Sequence, residues 1–265
     1  MNNLHRELAP ITPAAWAEIE EEATRTFKRN IAGRRVVDVV GPSGLGLAAV
    51  GTGHTAGIDS PADGVTARLR TALPVVELRV PFTVTRAAVD DVARGSQDSD
   101  WDPVKQAATT IAMAEDRAIF EGYQAAQITG IKQASSHPVA ALPADPLAAP
   151  AALSEALSTL RLDGVDGPYS VLMDAETYTA VSETSDHGYP VREHLRRIID
   201  GDIIWAPGLD GAVVLTTRGG DFALHIGQDL SIGYHSHDAE TIELYLEESF
   251  TFVVYSDEAA VALTR

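Results

Sequence analysis

The sequence predicts an α+β chain of two lobes, and three stretches predict it. Residues 102–127, DPVKQAATTIAMAEDRAIFEGYQAAQ, repeat apolar or small side chains with helical spacing, from Val104, Ala107, Ala108 and Ile111 through Ala118 and Ile119. Residues 222–254 alternate with the period of a strand around a turn at His235–Asp238, which predicts an extended hairpin or meander. Between the two, from 153 to 216, short helical and strand-like runs alternate with brief connections, the pattern of a small α/β layer.

Taken in order, Thr12 and Pro13 open a first helix with Trp16, Ile19, Ala23, Phe27 and Ile31 on one side and Gly33 as its expected stop. A strand at 36–40 follows. Residues 41–63 are rich in glycine and too long for an ordinary connection, so they are expected to form a loose arm that leaves the body. Residues 76–84 alternate, with Val76, Leu78, Val80, Phe82 and Val84 on one face; Pro81 suits a sheet edge or a bulge. A short helix at 86–94 ends at Gly95. Asp102 and Pro103 then suit the cap and first turn of the long helix, which would span roughly 38 Å at 1.5 Å per residue. Residues 135–152, rich in Ala and Pro, read as a crossover. Beyond them come a helix at 153–162, a strand at 169–173, a helix at 175–183 capped by Asp174, a helix at 190–200, and strands at 203–205 and 212–216. In the last hairpin, Ile242, Leu244, Leu246, Phe250, Phe252 and Val254 alternate, and only Glu248 interrupts them.

Composition narrows the function. The chain has 265 residues, enough to bury a substantial core, and no cysteine, which excludes disulfides and cysteine-ligated metal. Its 20 basic and 38 acidic residues give a net charge of −18, which argues against general nucleic-acid binding. Residues 40–58 carry no charge, but their Gly, Ser and Thr content is that of a loop and not of a bilayer span. The N-terminal MNNLHREL lacks the apolar run of a signal peptide, and a cytoplasmic home is expected.

Four clusters could carry chemistry. Gly44-x-Gly46-x-x-Ala49 follows a strand as a dinucleotide fingerprint does, but Gly51, Gly53 and Gly57 forbid the helix that must follow it. Glu115 falls on the apolar stripe of the long helix and is expected in a structural ion pair or an interface. Ser185, Asp186 and His187 adjoin in a loop, where a nucleophilic triad seldom converges; an interaction or pore loop fits them better. His235, His237 and Glu240 lack a distant third ligand, so no metal site is assigned. Glu247 and Glu248 are expected on a solvated or inter-subunit face.

The order of these parts resembles the encapsulins, the linocin-type family, in its actinobacterial branch. The resemblance covers essentially the whole chain. It is carried by LAPITPAAWAEIE, TFKRNIAGRRVVDVVGP, LPVVELRVPF, VARGSQDSDW, EDRAIFEGY and GVDGPYSVL. SETSDHGYP, DGDIIWAP, RGGDFALHIGQDLSIGY and ESFTFVVYSDEAAVAL complete it. It implies the fold of tailed-phage major capsid proteins, of the Hong Kong 97 type. Residues 1–40, 72–134 and 219–255 would then form a peripheral domain, 41–71 an extended loop, and 135–218 with 256–265 an axial domain.

The resemblance also implies a non-enzymatic shell subunit that closes with itself into an icosahedral particle of about 60 chains in the simplest (T=1) arrangement. The shell would hold a cargo enzyme by a C-terminal targeting peptide: a dye-decolourising peroxidase first, a ferritin-like protein second. Carried over by position, the peptide-binding residues are Phe27, Arg34, Asp38, Val39, Leu230, Ile232 and Tyr234. The pore-lining residues are Ser185, Asp186, His187, Gly188 and Tyr189. Some relatives stack a flavin on a tryptophan near the strand at 76–84, but here Thr85-Arg86-Ala87 offers no aromatic, and no cofactor is expected. Two rivals remain: a phage major capsid protein, and a soluble hydrolase or bacteriocin-like protease built on Ser185, Asp186 and His187.

Overall fold

The computed structural model describes residues 3–265. Thr12 caps helix α1 (Pro13–Asn30) by accepting from the Ala15 N–H. The helix stops three residues before Gly33. That glycine serves close approach instead, since a Cβ there would lie 2.6 Å from Ile119 Cδ1. Strand β1 (Asp38–Val40) is shorter than the sequence suggested.

The expected loose arm is a two-stranded ribbon, β2 (Ala49–Ile58) and β3 (Ala67–Pro74), with a register shift between Gly51 and Thr55. Its glycines hid it. They serve a bulge, with Gly53 at φ +78°, while Val50, Thr52, Thr55 and Ile58 supply strand-forming side chains.

Strand β4 (Val76–Thr85) pairs on one side only, which accommodates Pro81 as the sequence required. Thr85 caps helix α2 (Arg86–Ala93). The long helix, α3 (Asp102–Phe120), is preceded by Trp101, so Asp102 is its first residue and not its cap. It also ends seven residues before Gln127, spanning about 28 Å at 1.5 Å per residue. The reason is Gly122, at φ +86°, where the chain reverses: the N–H groups of Glu121 and Gly122 both donate to the Arg117 carbonyl.

The crossover is partly ordered, with α4 (Ile131–Ala134), β5 (Ala140–Ala141) and α5 (Ala149–Leu162), the last starting four residues earlier than expected. Then come β6 (Tyr169–Met173), α6 (Ala175–Glu183), the paired dipeptides β7 (Ser185–Asp186) and β8 (Tyr189–Pro190), and α7 (Val191–Ile198). The chain continues through β9 (Ile203–Trp205), β10 (Ala212–Thr216), β11 (Phe222–Ile226), β12 (Ser231–His237), β13 (Thr241–Val254) and β14 (Ala260–Thr264).

Strand β13 organises the first sheet. One edge pairs with β4 along its length; the other pairs with β12 and then β11, which lie end to end with a bulge at 227–230. Phe250 is therefore flanked by Val76 and Ile226. Helices α1, α2 and the first half of α3 cover one face, burying Trp16, Ile19, Val104, Ile111, Leu244 and Leu246 together. The second sheet runs β5-β14-β10-β6-β9, with the C-terminal strand paired to β10. Its strands are buried on both faces, which explains their nearly continuous apolar runs. Val171, Met173 and Val214 meet helices α5–α7, while Leu172, Val213 and Leu215 meet the end of α3.

Phe120, fully buried where the two layers join, is the hinge pin of that contact. Phe120→Ala is expected to cost about 3–5 kcal/mol, the usual range for emptying such a site. A guanidinium unfolding midpoint equal to that of the parent protein would refute this placement.

Candidate functional site

Between the C-terminal half of α1 and the start of β12 runs a groove. It comprises two cavities of about 350 and 380 Å³ that share Thr24 and Leu230. One wall is Ala23 and Phe27, one turn apart on α1, with Ile31 just past the helix end; the other is Leu230 and Ile232. At one end lie Leu4, Arg6 and Glu20, with Arg6 paired to Glu20 at 2.5 Å and stacked 4.1 Å from the Trp16 ring. At the other end lie Lys28, Arg34, Arg35 and Asp229.

Arg34 has a dense set of partners. Its Nε donates to Glu115 Oε1 at 2.8 Å and its Nη2 to Glu115 Oε2 at 2.6 Å, a two-pronged grip. Nη1 donates to Asp229 Oδ1 at 2.7 Å, and Nη2 also reaches Glu248 Oε2 at 3.2 Å. The guanidinium carbon lies 4.9 Å from the centre of the Phe27 ring. Burial works against the arginine's charge, but the bonds to Glu115 and Asp229 outweigh it and raise the group above its ordinary value. The expected ion pair at Glu115 is thus present, with its carboxylate fully buried.

Glu247 and Glu248 differ from expectation: neither is solvated. β13 is flanked on both edges, and its two faces bury both side chains. Glu247 accepts from Arg79 Nε at 2.9 Å and Gln228 Nε2 at 3.2 Å on one face. Glu248 turns to the other, toward Arg34. Burial, then the charge of Glu115, pushes its carboxyl well above the usual carboxylate range, and its Oε1 is buried without a hydrogen-bond partner.

Of the residues expected to bind a peptide, the structure brings Phe27, Arg34, Leu230 and Ile232 to this groove. Phe27 and Ile232 are largely core, presenting only an edge. Tyr234 lies farther along β12, donating its N–H to the Leu4 carbonyl and sharing a 2.6 Å hydrogen bond with His237 Nδ1. Asp38 and Val39 sit exposed on β1 and line neither cavity; Asp38 Oδ2 accepts from the Gly220 N–H at 2.6 Å. Sequence reasoning missed Thr24, Lys28 and Ile31, although they fall within one turn of Phe27 along the helix. It had no signal for Leu4 and Arg6, which tertiary packing alone delivers.

The residues expected at a pore form a tight ribbon turn. Ser185 pairs with Pro190 and Asp186 with Tyr189, while His187 (φ 47°) and Gly188 (φ 86°) occupy the left-handed positions a two-residue hairpin requires. The His187 side chain is 98% exposed, and its Nε2 is 3.7 Å from Asp186 Oδ1, beyond hydrogen-bond reach. The Tyr189 ring is gripped from behind, edge-on to His194 at 4.7 Å between ring centres and 5.1 Å from the Arg197 guanidinium carbon. His235 and His237 part company, toward Glu243 and Tyr234. Among the described residues no group of three His, Asp or Glu side chains is placed to hold a metal ion, and no helix is long and apolar enough to cross a membrane.

The family model Linocin_M18, described as "Encapsulating protein for peroxidase", matches residues 1–251. The chain belongs to the encapsulin shell-protein family. Type 1 encapsulin shell proteins of Rhodococcus erythropolis and Mycobacterium tuberculosis are each 64% identical to it, over 99% and 100% of this chain and all of theirs. That of Brevibacterium linens is 60% identical over the full length of both. Among solved structures, the virus-like particle of Pyrococcus furiosus superposes with a TM-score of 0.64 at 14% identity, covering 93% of this chain and 98% of that one. The capsid of Myoviridae phage XM1 does so with 0.51 at 12%, covering 87% and 90%. The fold is that of tailed-phage capsid proteins, and the family makes this chain an encapsulin shell subunit.

Asp116, beside Glu115 on α3, ties the turn after α1 to the helix: it accepts from the N–H groups of Ala32 (2.9 Å) and Gly33 (2.8 Å). Burial pushes its carboxyl up to about 7, although those two N–H groups pull it down. An unfolded aspartate titrates near 3.8, so between about 4 and 7 the folded protein binds more protons, and stability falls as pH rises through that window. Asp116→Asn should make this slope shallower, by an amount on the order of a few kcal/mol. Unfolding midpoints measured on both sides of the window test it, and equal slopes in the two proteins would contradict it.

Proposed function

We propose that this subunit closes with copies of itself into an icosahedral compartment of about 60 chains, and that the compartment encloses a peroxidase of the dye-decolourising type. The cargo is held by a C-terminal targeting segment lying in the α1–β12 groove. Residues 185–189 line a pore that admits small solutes by size and charge. In this arrangement the layer built on β13 is the peripheral domain, the β2–β3 ribbon the extended loop, and the second sheet with its helices the axial domain. The shell has no catalytic role of its own.

The observation that carries this reading is the groove itself. It offers an apolar wall from Phe27, Ile31 and Leu230 with charged groups confined to its two ends, which suits an extended segment with aliphatic anchors. The description of the family as encapsulating a peroxidase favours that cargo over a ferritin-like one.

Leu230→Asp tests it. Leu230 is half-buried on the groove wall, whereas Ile232 is packed in the core and would confound docking with folding. Particles should still assemble by sizing chromatography and negative-stain microscopy. Co-purifying peroxidase, read by mass spectrometry, should fall about tenfold or more, because an unpaired carboxylate now faces apolar groups. Undiminished loading would refute the groove, and a ferritin-like protein in place of peroxidase would refute the cargo assignment.

A further inference from the structure

Three carboxylates surround the single guanidinium of Arg34, and two of them, Glu115 and Glu248, are buried. Two ionised carboxylates sharing one cation out of water repel each other strongly, so one retains its proton. Geometry decides which. Glu115 holds the guanidinium with both oxygens at 2.6–2.8 Å, whereas Glu248 has one contact at 3.2 Å and a buried, unpartnered Oε1. Among the described residues no other cation is placed to help it. Lys28 lies out on the groove rim and Arg35 is turned to Asp202 at 3.3 Å. Asp116 is engaged with the backbone of Ala32 and Gly33, and Glu247 faces Arg79 on the opposite side of β13. Asp229, the third carboxylate on Arg34, is partly exposed to water.

Resting on the groove as the docking site, we infer that Glu248 is a proton-carrying positioning residue for it. While neutral, Glu248 leaves Arg34 gripped by Glu115 and stacked on Phe27, with one Nη1 N–H directed to neither carboxylate nor ring and available to an acceptor on the docked segment. The bonds to Glu115, Glu248 and Asp229 use the other donors of the fork. When Glu248 loses its proton, the second anion draws the guanidinium down toward β13 and away from the segment. Docking is thus strongest while Glu248 keeps its proton and weakens as pH rises through the point, well above the ordinary value of 4.5, at which the buried carboxyl titrates in the undocked groove. Because the groove would face the enclosed space, the pH around the cargo would set how firmly it is held.

The test uses assembled, cargo-free particles and a labelled synthetic peptide copying the C-terminal segment of the co-purified peroxidase. Affinity is followed across a pH series, with light scattering as the control for intact shells. The parent protein should lose about tenfold, the equivalent of one pKa unit of differential interaction. Glu248→Gln, which cannot ionise, should give a flat profile; Glu115→Gln, in which Glu248 becomes the anion of Arg34, should also be flat and serves if the first variant fails to assemble. Asp116→Asn should keep the decline. Infrared spectra of empty particles carrying Asp116→Asn, which removes the other buried carboxyl that keeps its proton, should show a protonated carboxyl band that disappears when Glu248→Gln is added and persists when Asp229→Asn is added. A decline unchanged in both glutamine variants, or a band that survives Glu248→Gln in the Asp116→Asn background, overturns the inference. A peptide that binds at no pH overturns the docking site itself, and the infrared band then decides the protonation separately.

Discussion

The grip of Glu115 on Arg34 is the constraint on which the first lobe depends. It joins three elements far apart in sequence: the turn after α1, the middle of α3 and, through Glu248, the centre of β13. A buried ion pair adds little net stability over an apolar replacement, because both ions surrender their hydration. Its value here is placement. An arginine that must meet one particular carboxylate fixes how far α1 slides along α3, and Asp116 fixes the same turn again through two backbone N–H groups. With the turn set, Phe27 lies beneath the guanidinium and Ile31 beside Leu230, and a groove of defined width follows.

Strand β13 transmits that placement. Paired on both edges and covered by helices on one face, it has no freedom to slip, since a shift of one residue would exchange Leu244 and Leu246 for Tyr245 and Glu247 on the helix-facing side. The bulge at 227–230 interrupts the neighbouring strand where Asp229 and Leu230 must turn to the groove, a common use of an extra residue beside a functional surface. Opposite Gly233, the Tyr245 ring lies where a Cβ would be, at 2.1 Å, so the ring and its stack on Arg79 depend on that glycine.

The two surfaces proposed above to bind cargo and to line a pore are thus held by rigid elements and occupy their ends and margins. The groove sits between a helix and a strand; the 185–189 turn projects from the start of α7, its tyrosine braced by His194 and Arg197. The β2–β3 ribbon is largely exposed, and an isolated ribbon of this kind has little stability of its own, which accords with a subunit that completes its packing only in a shell.

Much of this was written in local sequence. Strand alternation at 76–84 and 242–254, the apolar strand runs at 169–173 and 212–216, and the Thr12 and Asp174 caps each act over a few residues, and each appears where the pattern placed it. Glu115 and Glu248 were legible as the single polar interruptions of two apolar faces, but not as neighbours. That they meet over Arg34 is a matter of packing between segments more than a hundred residues apart. Packing and backbone reversal also decided the early end of α3 at Gly122, the pairing of a glycine-rich arm into strands, and the separation of Asp38 and Val39 from the groove. Residue pattern fixes what each segment prefers within one turn or one pleat; only the assembled layers, where buried charge must find its partner, fix which of those preferences come together as a surface that can bind.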